Sequence, residues 1–423
     1  MPTDKAPDWF ADAESIYRIP KEIKEPGDFK KAGLVPPDLI RGPSIDNVDE
    51  LERIRSVCDA RIISYITFSN RYLDTEKRHD WRFRLADAPE LCIYDEKSVR
   101  ERCIFADQKD PRRLDICQNT EELVQEMLRE VRLYMEAGLD GIFVDHGCGV
   151  TRCYGEELGV HEHIYHQDDI EGLPEDYLRF TPGKEGPCDD PLGNYAYAKL
   201  LGRAMAVMDE YGDDKVIVIN STFWPFYYSA RPIKKFVMYM TKHPRMIPGI
   251  FWENCHAGML ESHITVPRRY ISAKHDDDVT IRWGDWGQWL KLAETPQRWV
   301  ERGKRQLALG YYGKDDPVDD AFFSFATAKL SNLVWDVGGE PGMRFCRFRL
   351  GRPVDPGVVE REGMYFRRYE EGFVAVNPSD SLITSKVEYD CVVDYYSGRG
   401  IDGVEGNVAI SIPPQSGRVY LRS

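Results

Sequence analysis

Before residue 345, segments whose hydrophobic residues recur at helical spacing alternate along the chain with short, continuous apolar runs. The clearest helix is predicted to begin at Asn119, with Glu122 completing a capping box and Gly138 placed as a C-terminal cap. An apolar strand follows at once and ends on Asp145, in the stretch Gly-Leu-Asp-Gly-Ile-Phe-Val-Asp at 138–145. Repeated helix-then-strand units are typical of parallel sheets and barrels.

The same unit occurs twice more. A helix predicted at 194–211 precedes the strand 216–219, which ends on Asn220, and a helix beginning at Thr295-Pro296 precedes the strand 307–311. Further strands are predicted near Ile16, at 39–40, at 62–67, at 249–252 leading to Glu253, and at 279–283 leading to Asp285. In this count Asp145 closes about the fourth strand, Asn220 the fifth and Glu253 the sixth. The fold class predicted is therefore α/β, a (β/α)8 TIM barrel.

After about Phe345 the pattern changes to short apolar runs separated by turn residues. Residues 364–369 and 373–377 read as a hairpin around Glu371-Gly372, and further strands are predicted at 392–396, 408–412 and 418–421. This pattern predicts a small antiparallel β-sandwich. The predicted division is an N-terminal extension at 1–33, a barrel at 34–345 with a long loop at 146–192, and the sandwich at 346–423.

Composition and charge restrict the partners. The 71 acidic residues outnumber the 56 Lys and Arg, and the net charge of −15 argues against a nucleic-acid partner. No apolar run approaches the roughly 20 residues that span a bilayer, and the N-terminal residues lack a leader pattern, so we expect no membrane association and a cytoplasmic protein. Ten cysteines without a dense framework suit a reducing compartment. The composition leaves a homo-oligomer open.

Several familiar motifs are missing from the sequence. Neither G-x-G-x-x-G nor G-x-x-x-x-G-K-[ST] occurs, which argues against a nucleotide cofactor, and no G-x-S-x-G elbow points to a serine hydrolase. We therefore predict no cofactor.

Short motifs in chain order resemble a known class of enzymes. They are residues 65–70 (Tyr-Ile-Thr-Phe-Ser-Asn), Trp81, residues 114–116 (Leu-Asp-Ile), the stretch 138–145, residues 350–353 (Leu-Gly-Arg-Pro) and residues 372–378 (Gly-Phe-Val-Ala-Val-Asn-Pro). In these motifs the chain resembles glycoside hydrolases that join a (β/α)8 barrel to a C-terminal β-sandwich, as after α-amylase and α-galactosidase barrels. The resemblance implies hydrolysis of an O-glycosidic bond in an oligo- or polysaccharide, with Asp145 as nucleophile or base and Glu253 as general acid. His146 departs from the resemblance, since these enzymes often carry Asn there.

Glycosidic cleavage needs one protonated carboxylic acid and one ionised carboxylate. Glu253 follows Trp252 in an apolar stretch, which we expect to raise its pKa, whereas Asp145 lies beside His146 and near Arg152 and is expected to stay ionised. Asp285 is the alternative acid.

Aromatic and polar side chains at strand ends are candidates for binding sugar, because aromatic faces stack on pyranose rings and amides or hydroxyls bond to sugar hydroxyls. The alternative for the aromatic residues is buried packing at the top of the barrel. The predicted substrate-binding residues are Tyr65, Asn70, His146, Asn220, Trp224, Trp252, Trp283 and Trp286.

The loop after Asp145 leaves two other functions open. His161, His163 and His166 with Asp168 could bind a divalent ion, which would make the protein a metal-dependent hydrolase, but H-x-H-x-x-H on a loop lacks the fixed geometry of a helical motif. A solvated loop or a lid is favoured, so no metal is predicted. The second alternative is a catalytically silent carbohydrate-binding or assembly protein that keeps the barrel.

Overall fold

The computed structural model describes residues 5–42, 45, 47–72, 88–100, 113–145, 152–180, 189–220, 223–229, 237–261, 299–311, 317–338 and 340–423. Their helices are α1 Asp8–Ala11, α2 Pro26–Ala32, α3 Val48–Val57, α4 Glu121–Glu136, α5 Gln167–Ile170, α6 Glu175–Leu178, α7 Pro191–Asp209, α8 Gly249–Trp252 and α9 Val318–Leu330. Among these residues, no helix combines the length and the apolar character needed to cross a bilayer.

The strands are β1 Ser15–Ile16, β2 Leu39–Arg41, β3 Arg61–Thr67, β4 Asn70–Tyr72, β5 Arg113–Asp115, β6 Gly141–Asp145, β7 Val216–Asn220, β8 Phe223–Ser229, β9 Val237–Met246, β10 Ala257–Glu261, β11 Arg305–Tyr311, β12 Val334–Gly338, β13 Val359–Arg361, β14 Met364–Tyr369, β15 Gly372–Asn377, β16 Ile383–Glu388, β17 Cys391–Asp394, β18 Arg399–Asp402, β19 Asn407–Ile412 and β20 Ser416–Arg422. Short 3-10 turns occupy Pro89–Leu91 and Glu340–Cys346.

Eight parallel strands close into a barrel in the order β1-β12-β11-β10-β7-β6-β3-β2, and β2 pairs with β1. This confirms the predicted TIM barrel, with β6 as the fourth barrel strand and β7 as the fifth. Because β1 lies at Ser15–Ile16, the barrel starts inside the segment that had been assigned to an N-terminal extension. Two-stranded pairs β4–β5 and β8–β9 lie outside the barrel.

Successive side chains along each barrel strand point alternately into the barrel interior and towards the surrounding helices. Phe143 belongs to an interior cluster with Val218, Met259 and Leu309. Val144, the next residue along β6, instead joins the cluster beneath α4 and α7. Asp145 is two residues beyond Phe143, so it shares the interior face at the carboxyl end of β6.

The sixth strand differs from the prediction. The run Gly249–Trp252 forms the one-turn helix α8 after Pro248, and the sixth barrel strand is β10, Ala257–Glu261. Apolar runs this short carry no period that separates helix from strand, which explains the error. β10 pairs directly with β11, and the strand predicted at 279–283 lies outside the described residues.

The helix α4 precedes the candidate carboxylate and ends where predicted. Gly138 follows its last turn in a left-handed conformation with φ of 76°, as expected for glycine in a helix C-terminal cap. Its N-cap is Thr120, so the capping box predicted from Asn119 is wrong. The Asn119 amide instead forms two hydrogen bonds of 2.8 Å with the backbone of Tyr165, in the loop after β6.

Residues after the barrel form the predicted β-sandwich. A six-stranded antiparallel sheet, β13-β14-β15-β20-β17-β18, packs against the pair β16–β19 over a core that includes Phe366, Phe373 and Val408. The opposite face of the large sheet packs on α9, where Phe322 lies in one cluster with Val419. The sandwich therefore rests on a barrel helix.

Candidate active site

Asp145 is held by side chains from both neighbouring strands. The Asn220 amide on β7 donates a hydrogen bond of 2.7 Å to Asp145 Oδ1, and the Tyr65 hydroxyl on β3 donates to Oδ2. Asp145 remains partly exposed, whereas Asn220 is buried. Two donors on a carboxylate favour its ionised form and fix its orientation. The structure thus brings together three of the residues that the sequence singled out.

Strand register explains why these three side chains meet. Asp145 pairs with Thr67, so Tyr65 lies beside Phe143, and the two rings are 6.0 Å apart. Tyr65 is long enough to reach the carboxylate that closes the next strand. On the other side Val144 pairs with Ile219, which places Asn220 level with Asp145.

A second polar group inside the barrel was not predicted. Arg41, the last residue of β2, forms an ion pair with Asp336 on β12, with Arg41 Nε 2.9 Å from Asp336 Oδ2. The Arg41 guanidinium also lies 4.9 Å from the centre of the Phe143 ring. A cavity of about 190 Å³ adjoins the pair and is lined by Arg18, Tyr17 and Met343 among others. A sequence signal existed, since Asp336 interrupts an apolar run, Val-Trp-Asp-Val.

Glu253 does not share this end of the barrel. It follows α8 and precedes β10, and His256, three residues later, donates its backbone N–H to Ile217 near the start of β7. Asp145 closes β6 at the opposite end of the parallel strands. The Glu253 carboxylate instead accepts a hydrogen bond of 2.7 Å from the Tyr177 hydroxyl in α6. The prediction that Glu253 closes the sixth strand and faces Asp145 is therefore wrong.

Trp252 is likewise not presented to a cleft. Its side chain is 7% exposed, its ring centre lies 4.1 Å from that of Trp299, and the Arg302 guanidinium covers it at 4.6 Å. This is the packing alternative considered for the aromatic residues, and it corrects the assignment of Trp252 as a sugar-binding residue.

Other predicted site residues cannot be placed against Asp145. His146, Trp283, Asp285 and Trp286 lie outside the described residues. Asn70 belongs to β4 and Trp224 to β8, so both follow barrel strands closely in the chain, and their contacts with sugar stay predictions.

The loop after β6 contains a side-chain cluster that was only half predicted. His161 and His163 meet Cys117 and Cys153, and the four potential ligand atoms all lie within 4.8 Å of one another. His166 and Asp168 do not belong to this group. Burial raises the pKa of the Cys117 thiol, while a hydrogen bond from Cys117 and further ones from the two histidines lower the pKa of the Cys153 thiol. No sequence pattern joins Cys117 to this loop, because Cys117 precedes α4 and lies far from the histidines in the chain.

Comparisons with known proteins identify the fold. No protein-family model and no curated protein sequence match the chain. The maltogenic α-amylase AmyB from Thermotoga neapolitana is similar in structure, with 9% identity, a TM-score of 0.51, and coverage of 97% of this chain and 99% of that one. The debranching enzyme of Nostoc punctiforme, in an acarbose-soaked crystal, has 10% identity, a TM-score of 0.50, and coverage of 99% and 100%. The chain therefore shares, over its whole length, the barrel-plus-β-domain fold of these glycoside hydrolases.

Proposed function

We propose that this protein is a glycoside hydrolase that cleaves an O-glycosidic bond of an oligo- or polysaccharide, with Asp145 as nucleophile or base. The observation that carries the proposal is the setting of Asp145, an interior-facing carboxylate at the carboxyl end of the fourth barrel strand with donors on both oxygens. Catalytic groups of TIM barrels come from these strand ends. The fold shared with the amylase and the debranching enzyme supports the proposal.

The chemistry assigned to Asp145 requires an ionised and oriented carboxylate. The Asn220 NH2 group can only donate, and the Tyr65 hydroxyl donates to the ionised carboxylate, so both stabilise the anion and restrict rotation of the carboxyl group. A fixed anion can attack the anomeric carbon or activate a water molecule, and it stabilises the positive charge that develops on the sugar ring.

We propose Glu261 as the general acid in place of Glu253. Glu261 is the last residue of β10, the sixth barrel strand, so its backbone lies at the same end of the barrel as Asp145. β10 is separated from β6 by β7 alone, so the two backbones are about 9.6 Å apart at 4.8 Å per strand. Carboxyl separations of about 5–5.5 Å serve retaining hydrolysis and about 6.5–9.5 Å serve inverting hydrolysis. Asp285 is the alternative acid.

The test is a set of matched carboxamide variants assayed on a panel of chromogenic glycosides and oligosaccharides. We expect Asp145→Asn to abolish hydrolysis and Glu261→Gln to lower it about 10²–10⁴-fold on substrates with poor leaving groups, as for loss of a general acid. Glu253→Gln is the control and should keep wild-type kcat, because Glu253 lies at the other end of the strands.

Each outcome of this test bears on the assignment. Hydrolysis retained by folded Asp145→Asn would overturn the role of Asp145. If Glu253→Gln loses activity and Glu261→Gln keeps wild-type activity, the choice of Glu261 is overturned. A wild-type chain that binds oligosaccharide in calorimetry but hydrolyses none would favour a catalytically silent carbohydrate-binding protein instead.

A further inference from the structure

Four side chains with metal-binding atoms converge where the loop after β6 meets Cys117. Cys117 and His163 are in contact, with Cys117 Sγ 3.5 Å from His163 Nε2, and Cys153 Sγ lies 3.4 Å from His161 Nε2. Neither cysteine forms a disulfide bond. We call these four residues the Cys2His2 cluster.

The distances in the Cys2His2 cluster fit a tetrahedral metal site. With Zn–S bonds of about 2.3 Å and Zn–N bonds of about 2.05 Å, a tetrahedron has sulfur-to-nitrogen edges of roughly 3.6 Å. The two observed sulfur-to-nitrogen distances, 3.5 and 3.4 Å, are close to that edge. All remaining pairs lie within 4.8 Å, so a small inward movement would complete the coordination shell.

Hydrogen bonding around the histidines independently indicates a metal site. His161 Nδ1 lies 2.7 Å from the backbone carbonyl oxygen of Glu90, which can only accept, so Nδ1 carries the proton and Nε2 presents its lone pair to the sulfurs. His163 Nε2 likewise lies against Cys117, and its Nδ1 is 3.7 Å from a Glu156 carboxylate oxygen, beyond hydrogen-bond range. Metal-bound histidines characteristically show this pattern, a ligand nitrogen on one side and an oxygen acceptor on the other.

We propose that Cys117, Cys153, His161 and His163 bind one Zn²⁺ ion as a structural site. Four protein ligands close the coordination shell, which is typical of structural rather than catalytic zinc. Binding releases one proton from each thiol to solvent, and two thiolates neutralise the ion, so the complex carries no net charge where Cys117 and His163 are buried.

The bound ion would join two segments that have little regular structure of their own. Cys117 lies between β5 and the start of α4, whereas Cys153, His161 and His163 belong to the loop after β6. That loop contains only the four-residue helices α5 and α6 within residues 152–180. The contacts of this loop with the segment before α4 include the two hydrogen bonds between Asn119 and the backbone of Tyr165. A metal crosslink would supply the order that secondary structure does not, in the loop that begins directly after Asp145.

A route to the cluster is present. A cavity of about 300 Å³ borders it and is lined by Cys117, Cys153 and His163, together with Glu156 and Asp190. Acidic side chains along this cavity favour the approach of a cation.

The experiment measures metal in the full-length chain, purified under reducing conditions without chelator. We expect about one zinc per chain by plasma mass spectrometry. After zinc is replaced by Co²⁺, we expect the visible absorption of a tetrahedral site and a thiolate charge-transfer band. A chelator should expose two thiols, Cys117 and Cys153, to a thiol reagent. These readouts do not depend on glycosidase activity, so they test the zinc site independently of the proposed function.

Two matched histidine variants test the ligand set. His163→Ala should lose the zinc, whereas His166→Ala should retain it, because His166 contacts Glu156 from outside the Cys2His2 cluster. Loss of zinc in His166→Ala alone would assign the ion to a different group of ligands. A wild-type chain that takes up neither zinc nor cobalt, or in which Cys117 and Cys153 prove to be disulfide-bonded, would overturn the proposal. The cobalt spectrum of the wild type keeps the test decisive if His163→Ala does not fold.

Discussion

Replacing Tyr65 by phenylalanine removes a donor to Asp145 and leaves the ring that packs beside Phe143 in place. A hydrogen bond to a charged group contributes about 1.5–3 kcal/mol. If that stabilisation is present in the transition state, we expect kcat/KM of Tyr65→Phe to fall about 10–150-fold. KM alone should change little.

The same substitution should change the pH dependence of hydrolysis. The Tyr65 hydroxyl donates to Asp145 and stabilises its ionised form, so the loss of this hydroxyl raises the pKa of the carboxylate. Activity requires the anion, and the acidic limb of the kcat/KM profile should therefore move to higher pH. The assay is a pH profile of wild type and variant on one chromogenic substrate.

A second tyrosine–carboxylate pair provides the control. Tyr177 donates to Glu253 at the other end of the barrel strands, so Tyr177→Phe makes the same chemical change away from Asp145. Its rate and its acidic limb should match the wild type. An unshifted acidic limb in Tyr65→Phe, or equal shifts in both variants, would refute the view that Tyr65 holds the catalytic anion.

Three further predictions concern stability, each measured by denaturant unfolding. Asp336→Asn should cost about 3 kcal/mol, the lower end for breaking a buried ion pair, because its partner Arg41 is 24% exposed. Gly417→Val should destabilise the packing of the sandwich on α9 by about 1–3 kcal/mol, since even a Cβ at Gly417 would lie 2.8 Å from atoms of α9. Arg203 lowers the pKa of Glu121 to about 2, so the pair contributes stability above pH 4.5 that is lost as the pH falls towards 2. Because Arg203 is 33% and Glu121 51% exposed, Arg203→Met should cost no more than about 1 kcal/mol at pH 7 and nothing once the pH is well below 2.

The sequence predicted those parts of the fold in which a long period or a complete helix–strand unit marks the element. The amphipathic helix α4, Gly138 and the strand to Asp145 form such a unit, and all three are confirmed. The hairpin of β14 and β15 was equally visible from its two apolar runs, although its turn is Glu370–Glu371 and Gly372 begins β15.

The secondary-structure predictions were wrong where an element had to be recognised from only four or five residues. Gly249–Trp252 contains two aromatic residues and an isoleucine, which favour a strand, but Pro248 precedes it and Trp252 packs against Trp299, so tertiary contacts select a helical turn. β10, Ala-Gly-Met-Leu-Glu, has no β-branched residue and gave no strand signal. Cys117 was missed for another reason, because only the folded chain brings it to the loop that carries His161 and His163.

The candidate carboxylate and the Cys2His2 cluster depend on different kinds of constraint. Asp145 is positioned by strand register and by donors from β3 and β7, so its geometry follows from the closed barrel itself. Within residues 152–180 of the loop after Asp145, the helices α5 and α6 have four residues each, and helices this short contribute little order of their own. A barrel that presents its carboxylate rigidly still needs a defined wall around the sugar, and loop residues provide that wall in TIM-barrel enzymes. In the proposed zinc site the Cys2His2 cluster would crosslink and order this loop, which is a physical reason for a metal-binding group to accompany the proposed carboxylate mechanism.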